Sequence, residues 1–256
     1  MIALLLALTA AAPGPDTTDT YLYRTLLIRA APGSLVEVIA LYKERLTVLA
    51  AADEEGRGGG RGGGGGGGPF IMRHSQGDQW DLFLLFPMES FESYYSPERI
   101  ERRAAAGLEA KQSEEDFQRT LGPHIAWREE TFVMGPPLEV VSRHFKEKSY
   151  YHVEMFVAVP GKRAELLEQR NMENAFYAHL GRPQNLIFTR VAGGAWDMFT
   201  LGFYDDLADF AAISNIPDAE QEAAALAAGF QGSGQIGFYL RTLMQWHHDT
   251  LARAVR

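Results

Sequence analysis

Tyr151-His152-Val153-Glu154-Met155-Phe156-Val157-Ala158-Val159-Pro160-Gly161 repeats an earlier stretch of the same chain, Tyr23-Arg24-Thr25-Leu26-Leu27-Ile28-Arg29-Ala30-Ala31-Pro32-Gly33. Each run is rich in β-branched or aromatic residues and stops at Pro-Gly, which reads as a strand and a turn. Helical patterns follow over Ser34–Leu49 and Lys162–Leu180. Downstream, Ile71-Met72-Arg73-His74 with Gly77 matches Ile187-Phe188-Thr189-Arg190 with Gly193. Trp80-Asp81-Leu82-Phe83 likewise matches Trp196-Asp197-Met198-Phe199. Two strands around a glycine-containing turn are a hairpin. Acidic and Ser residues at Glu89-Ser90 and Asp205-Asp206 suit the helix starts that come next. A last strand is expected near Ile125–Met134 in copy one and Ile236–His247 in copy two. The chain therefore reads as two diverged copies of one unit.

The offset between copies is 128 residues at the first strand and 116 at the hairpin, so copy one is 12 residues longer. Its surplus falls on Gly56-Arg57-Gly58-Gly59-Gly60-Arg61 and Gly62–Gly68. No Gly-Lys-Ser/Thr follows, so the stretch reads as a flexible insertion rather than a phosphate loop. Expected boundaries are a tail at 1–20, a first repeat at 21–134 with the insertion at 56–68, a linker at 135–149 and a second repeat at 150–256. The apolar run Ile2–Leu8 followed by Thr9-Ala10-Ala11-Ala12 has the pattern of a cleaved secretory signal. That pattern predicts export, to periplasm or exterior; without it the protein would be cytoplasmic. With 33 acidic against 24 basic residues the net charge is −9, which argues against a nucleic-acid partner. There are no cysteines, so thiolate catalysis, disulfides and Cys-ligated metals are excluded. No stretch reads as a membrane span.

The order strand, helix, hairpin, helix, strand, with Pro-Gly before the first helix, resembles the dimeric α/β-barrel superfamily of ferredoxin-like folds. Copy two, through Val157-Ala158-Val159-Pro160-Gly161-Lys162-Arg163-Ala164-Glu165-Leu166-Leu167, is similar to the opening of NIPSNAP-type domains. The resemblance implies an α+β fold. Two ferredoxin-like βαββ repeats would pack their antiparallel sheets as an intrachain pseudo-dimeric barrel with helices outside. It also implies a range of functions: cofactor-independent monooxygenases, haem-degrading and haem-containing enzymes, and binding proteins.

Alternation in the second copy's first strand separates Tyr151, Val153, Met155, Val157 and Val159 from His152, Glu154, Phe156 and Ala158. If the fully apolar face takes the helices, His152 and Glu154 point into the barrel. There they would be a catalytic pair, base and orienting carboxylate, or a structural pair bonded to Arg190 or Arg241. Copy one carries Arg24 and Leu26 instead, so the copies cannot share one site. Arg24, His74, Arg190, Trp196 and Arg241 are the candidate ligand-binding residues, the cations for an anionic group and Trp196 for packing or placement. Trp246-His247-His248-Asp249 invites a metal reading, but adjacent histidines on a strand face opposite ways. Only His247 and Asp249 stay as weak candidate ligands. No cofactor is expected, and haem is the alternative. Arg170, Glu173, Asn174 and Tyr177 form a polar stripe that reads as a solvated helix face. The functional expectation is a monooxygenase-like binder of an apolar or aromatic small molecule. Its alternatives are a non-catalytic interaction or oligomerisation module, with a homo-oligomer as partner, and a haem-binding protein.

Overall fold

A computed structural model describes residues 20–55, 69–76 and 78–255; the stretch expected to be a secretory signal and the expected glycine-rich insertion lie outside the described residues. The first half contains β1 (Tyr21–Ala30), α1 (Leu35–Glu55), β2 (Phe70–Gln76), β3 (Leu82–Glu89), α2 (Phe91–Tyr94), α3 (Pro97–Glu109), α4 (Glu114–Leu121) and β4 (Ile125–Gly135). Helix α5 (Leu138–Glu147) links it to β5 (Tyr150–Ala158), α6 (Arg163–His179), β6 (Leu186–Gly193), β7 (Met198–Tyr204), α7 (Leu207–Ala211), α8 (Asp218–Ala227), α9 (Ile236–Arg241) and β8 (Met244–Ala254). Among the described residues no helix is long and apolar enough to cross a membrane.

The eight strands close into one barrel in the order β1-β3-β2-β8-β5-β7-β6-β4. All neighbours are antiparallel, and β4 closes the ring on β1. In each half the first strand lies between its hairpin partner and its own last strand. That last strand then pairs with the other half's hairpin, β4 with β6 and β8 with β2. The reciprocity is that of a pseudo-twofold axis, and it leaves no free sheet edge. Gly33 and Gly161 end the first strands at φ +82° and +83°, with open space where a side chain would be. The backbone angle, not crowding, is what calls for glycine there.

The Trp-Asp pair shared by the halves has a backbone role. Asp81 accepts from the Ala30 N–H (2.8 Å) and Asp197 from the Ala158 N–H (2.9 Å). Their own N–H groups donate to Ile28 and Phe156 carbonyls. Each Asp thus satisfies backbone groups where a first strand runs out of sheet partners. Replacing Asp81 or Asp197 by Ala is expected to cost about 1–3 kcal/mol each in urea unfolding. Burial works against the Asp197 carboxylate, but Arg190 and the Ala158 N–H outweigh it and hold its pKa down. The contribution of Asp197 is therefore present at neutral pH and is lost as pH falls through that lowered pKa.

Three expectations are corrected. The strand faces are inverted: Tyr151, Val153 and Met155 join Tyr23, Leu27, Phe83, Val133, Phe188 and Phe199 in one core inside the barrel. Phe156 and Ala158, from the His152 face, pack with Leu166 of α6 outside it. Every wall of the interior is sheet, with few polar groups to meet a charge, whereas an amphipathic helix can bring long polar side chains to the outer face. The second half's last strand starts at Met244, because the apolar run at Ile236 forms helix α9 with Leu240 buried. The polar stripe on α6 faces the sheet: Arg170 and Asn174 are buried, as is the neighbouring Gln169. The linker is also more than a connector, since Leu138, Val141 and Phe145 of α5 pack into the interior core at one end of the barrel.

Candidate functional site

Glu154 stands opposite Thr200 of β7 and Asp249 of β8 in the sheet register, so three polar side chains meet on the outer face under α6. Thr200 Oγ1 donates to Glu154 Oε2 at 2.9 Å. Arg170, one turn beyond Leu166 on α6, lays Nη1 on both Glu154 oxygens at 3.3 and 3.4 Å. Its Nη2 donates to Glu173, and its Nε donates to Gln169 Oε1 at 2.7 Å. The guanidinium also lies 4.9 Å from the centre of the Phe156 ring, so its edges meet hydrogen-bond acceptors and one face meets an aromatic ring. Tyr177 donates to Glu173 at 3.1 Å. At the edge of this cluster His152 Nε2 meets Asp249 Oδ1, and its ring lies 5.0 Å from Phe210.

The electrostatics follow from three carboxylates sharing one guanidinium and one imidazole. Burial disfavours the His152 imidazolium, but the Asp249 hydrogen bond and the charges of Glu154, Asp249 and Glu173 outweigh it, so its pKa rises above the ordinary 6.5. Burial likewise opposes the Asp249 carboxylate, and His152 more than compensates, holding its pKa down. Burial raises the pKa of Glu173, Arg170 opposing and Glu154 assisting. As a stability statement, the His152 interaction is fully present below about pH 6.5 and is lost as pH rises through its raised pKa.

His152, Glu154 and Asp249 can place ligand atoms within 4.8 Å of one another. The donor set nevertheless fits a proton better than a metal ion. Both Glu154 oxygens already hold Arg170, and a guanidinium at that distance repels a divalent cation. His247 is not in the group; its ring stacks on Phe156 at 5.8 Å. His248 faces the other way, as strand alternation requires, with its ring 4.9 Å from that of Trp196.

The remaining candidates lie elsewhere. Arg24 pairs with Glu130 at 3.1 Å and stacks 4.2 Å over Phe86. Leu26 is opposite Glu130, as Glu154 is opposite Asp249, so Arg24–Glu130 is the first half's counterpart of His152–Asp249. There Leu26 and Tyr42 occupy the places of Glu154 and Arg170, both buried in an apolar cluster. Arg190 is held by Asp197 at 2.6 Å, and Arg241 is exposed and bonded to the Gly237 carbonyl. Neither pairs with His152 or Glu154. Trp196 and His74 belong to one end of the barrel, His74 accepting from the Asp78 N–H at 3.2 Å. Arg170, Glu173 and Thr200 were not legible as a site. The available signal was that Gln169, Arg170, Glu173 and Tyr177 continue the helix face begun by Leu166, the counterpart of core residue Val38.

The fold itself has solved counterparts. The chain superposes on an anthrone oxidase-like protein with a TM-score of 0.53 at 14% identity, over 93% of this chain and 92% of the other. A candidate monooxygenase from Fusobacterium nucleatum gives 0.51 at 6% identity, over 93% and 94%. The chain has the dimeric α/β-barrel fold. In this α/β-barrel chain both sheets come from one polypeptide, which closes the barrel without a second copy. No family model matches the sequence, and no curated protein matches it.

Proposed function

We propose that this α/β-barrel protein binds a small apolar or aromatic molecule beside His152 and acts on it by acid–base chemistry, as a cofactor-independent monooxygenase-like enzyme. The observation that carries the reading is the His152–Asp249 pair at the edge of a buried charged cluster, where the first half has Leu26 and Tyr42 in place of Glu154 and Arg170. Asp249 orients the imidazole and stabilises its protonated form; above its pKa the ring is a base. Glu154 and Arg170 supply a fixed field behind it. In the reaction proposed, His152 takes a proton from a ligand CH2 made acidic by its aromatic neighbours. The ligand is the reductant: dioxygen gives one oxygen atom to the product carbonyl, and the other leaves as water with the two hydrogens.

Haem, the alternative cofactor, would need an axial histidine open to a porphyrin-sized cavity. The histidines on the barrel's inner face, His74 and His248, are engaged with Asp78, and aromatic rings from both halves meet between the sheets, Phe83 lying 5.1 Å from Phe199. These residues do not fit a haem. The test is oxygen uptake by purified protein with ligands that carry a CH2 between two aromatic rings, compared with His152→Asn. The parent rate should rise with pH through a pKa above 6.5, and the variant should lose about 10²-fold or more. Equal rates would remove His152 from the chemistry, and a Soret band would overturn the cofactor-free reading.

A second reading, an interaction module, draws on the exposed Phe238 and Tyr239 beside a cleft of about 400 Å³ that Met172 and Phe230 also line. A stable oligomer that Phe238→Ser dissolves, measured by light scattering, would favour it.

A further inference from the structure

The two halves treat one place differently. In the second half Asp197 is covered from within the chain: Arg190 Nη2 donates to its Oδ1 at 2.6 Å, and Arg163, from the first turn of α6, donates to the Arg190 carbonyl. In the first half the residues at those positions are His74 and Leu35. His74 accepts from the Asp78 N–H instead, and Leu35 packs against the apolar cluster under α1. Asp81 keeps the strand-end contact of its Oδ2 with the Ala30 N–H, but among the described residues no cation meets its carboxylate.

Open space lies beside Asp81. A cleft of about 670 Å³, a size usual for small-molecule sites, runs along the end of β1 between the start of β4 and the first turn of α1. Asp81 lines it together with Arg29, Pro32, Leu35, Val36 and Trp127. Arg29 stands opposite Trp127 in the sheet register, is exposed, and pairs with no acid among the described residues. Its counterpart in the second half is Val157, so this cation belongs to the first half alone. The cleft thus carries one unpaired charge of each sign and an apolar wall. The Asp81 carboxylate suits the planar fork that Arg190 gives Asp197, and the Arg29 guanidinium suits a carboxylate. Pro32, Leu35 and Val36 suit a short hydrocarbon between them. A simple cation would meet repulsion from Arg29, and a simple anion from Asp81. We infer that the first half holds a second binding site, separate from His152, for a small zwitterion with a guanidinium at one end and a carboxylate at the other.

The probe is 4-guanidinobutyrate, titrated calorimetrically into the full chain at low salt, where exposed charges are least screened. It should bind saturably, with butylguanidinium and butyrate each at least about tenfold weaker, the factor for one lost charge-assisted hydrogen bond. Combining His74→Arg with Leu35→Arg gives the first half the arginines that cover Asp197 in the second, and should abolish binding. No saturable heat from 4-guanidinobutyrate would mean that solvent, or Arg29 and Asp81 together, already satisfy the cleft, and would overturn the inference. So would equal affinity for either of the two shorter-handed probes, or undiminished binding by the folded double variant. The comparison of the three probes needs only the unmodified protein, so it decides the matter even where the double variant does not fold.

Discussion

Arg170→Met lowers the stability of the fold by about 3–5 kcal/mol, the cost typical of breaking a buried ion pair by removing one partner. Urea unfolding is the measurement. Arg170 is 2% exposed and is the shared donor of Glu154 and Glu173, so its loss strands two carboxylates between sheet and helix. Burial already raises the pKa of Glu173. Without the guanidinium Glu173 should titrate higher still, and the deficit should shrink as pH falls and it becomes neutral. Adding Glu154→Leu should recover part of the loss, because the first half shows the apolar solution at the same places, Leu26 against Tyr42. A single variant as stable as the parent, or a deficit that grows as pH falls, would mean that Arg170 does not compensate these acids. The double variant also separates stability from chemistry: a recovered fold without oxygen uptake would show that the charged cluster is kept for function.

The duplication was legible because a strand, its Pro-Gly stop and a Trp-Asp pair are local patterns, each with a local physical cause. Asp81 and Asp197 satisfy backbone groups at the ends of the first strands, and that role recurs in both halves. The pairing of His152 with Glu154 on one strand face was legible for the same reason. Which side that face meets was not. Alternation separates two faces of β5 but carries no sign, and in a barrel the driest layer is the interior, where Tyr151, Val153 and Met155 go. The same missing sign hid Arg170. A stripe of Arg, Glu, Asn and Tyr on a helix looks solvated until the sheet beneath it offers Glu154 and Thr200 as partners. Asp249 was visible only as a weak metal ligand, since its meeting with His152 depends on the pairing of β5 with β8.

Phe199→Ala is expected to cost about 3–5 kcal/mol, as truncation of a buried Phe does where the surroundings cannot close the void. Phe199 of β7 stacks on Phe188 of β6 at 4.6 Å and meets Phe83 of β3 edge-on at 5.1 Å. It therefore ties the interior core of one half to that of the other. Its loss should not loosen the second half alone. The last strand of each half is also hydrogen-bonded into the other half's hairpin, so neither half can open without breaking β4–β6 and β2–β8. Far-UV circular dichroism and tryptophan emission should then give one coincident transition in parent and variant, shifted to lower urea in the variant. Emission covers both halves, because Trp80 and Trp127 belong to the first and Trp196 and Trp246 to the second. Two separated transitions would mean that the halves fold as independent domains. A single shifted transition would mean that duplication and closure have merged two copies into one cooperative unit, with one half free to diverge into the His152 cluster while the other supplies an apolar counterweight.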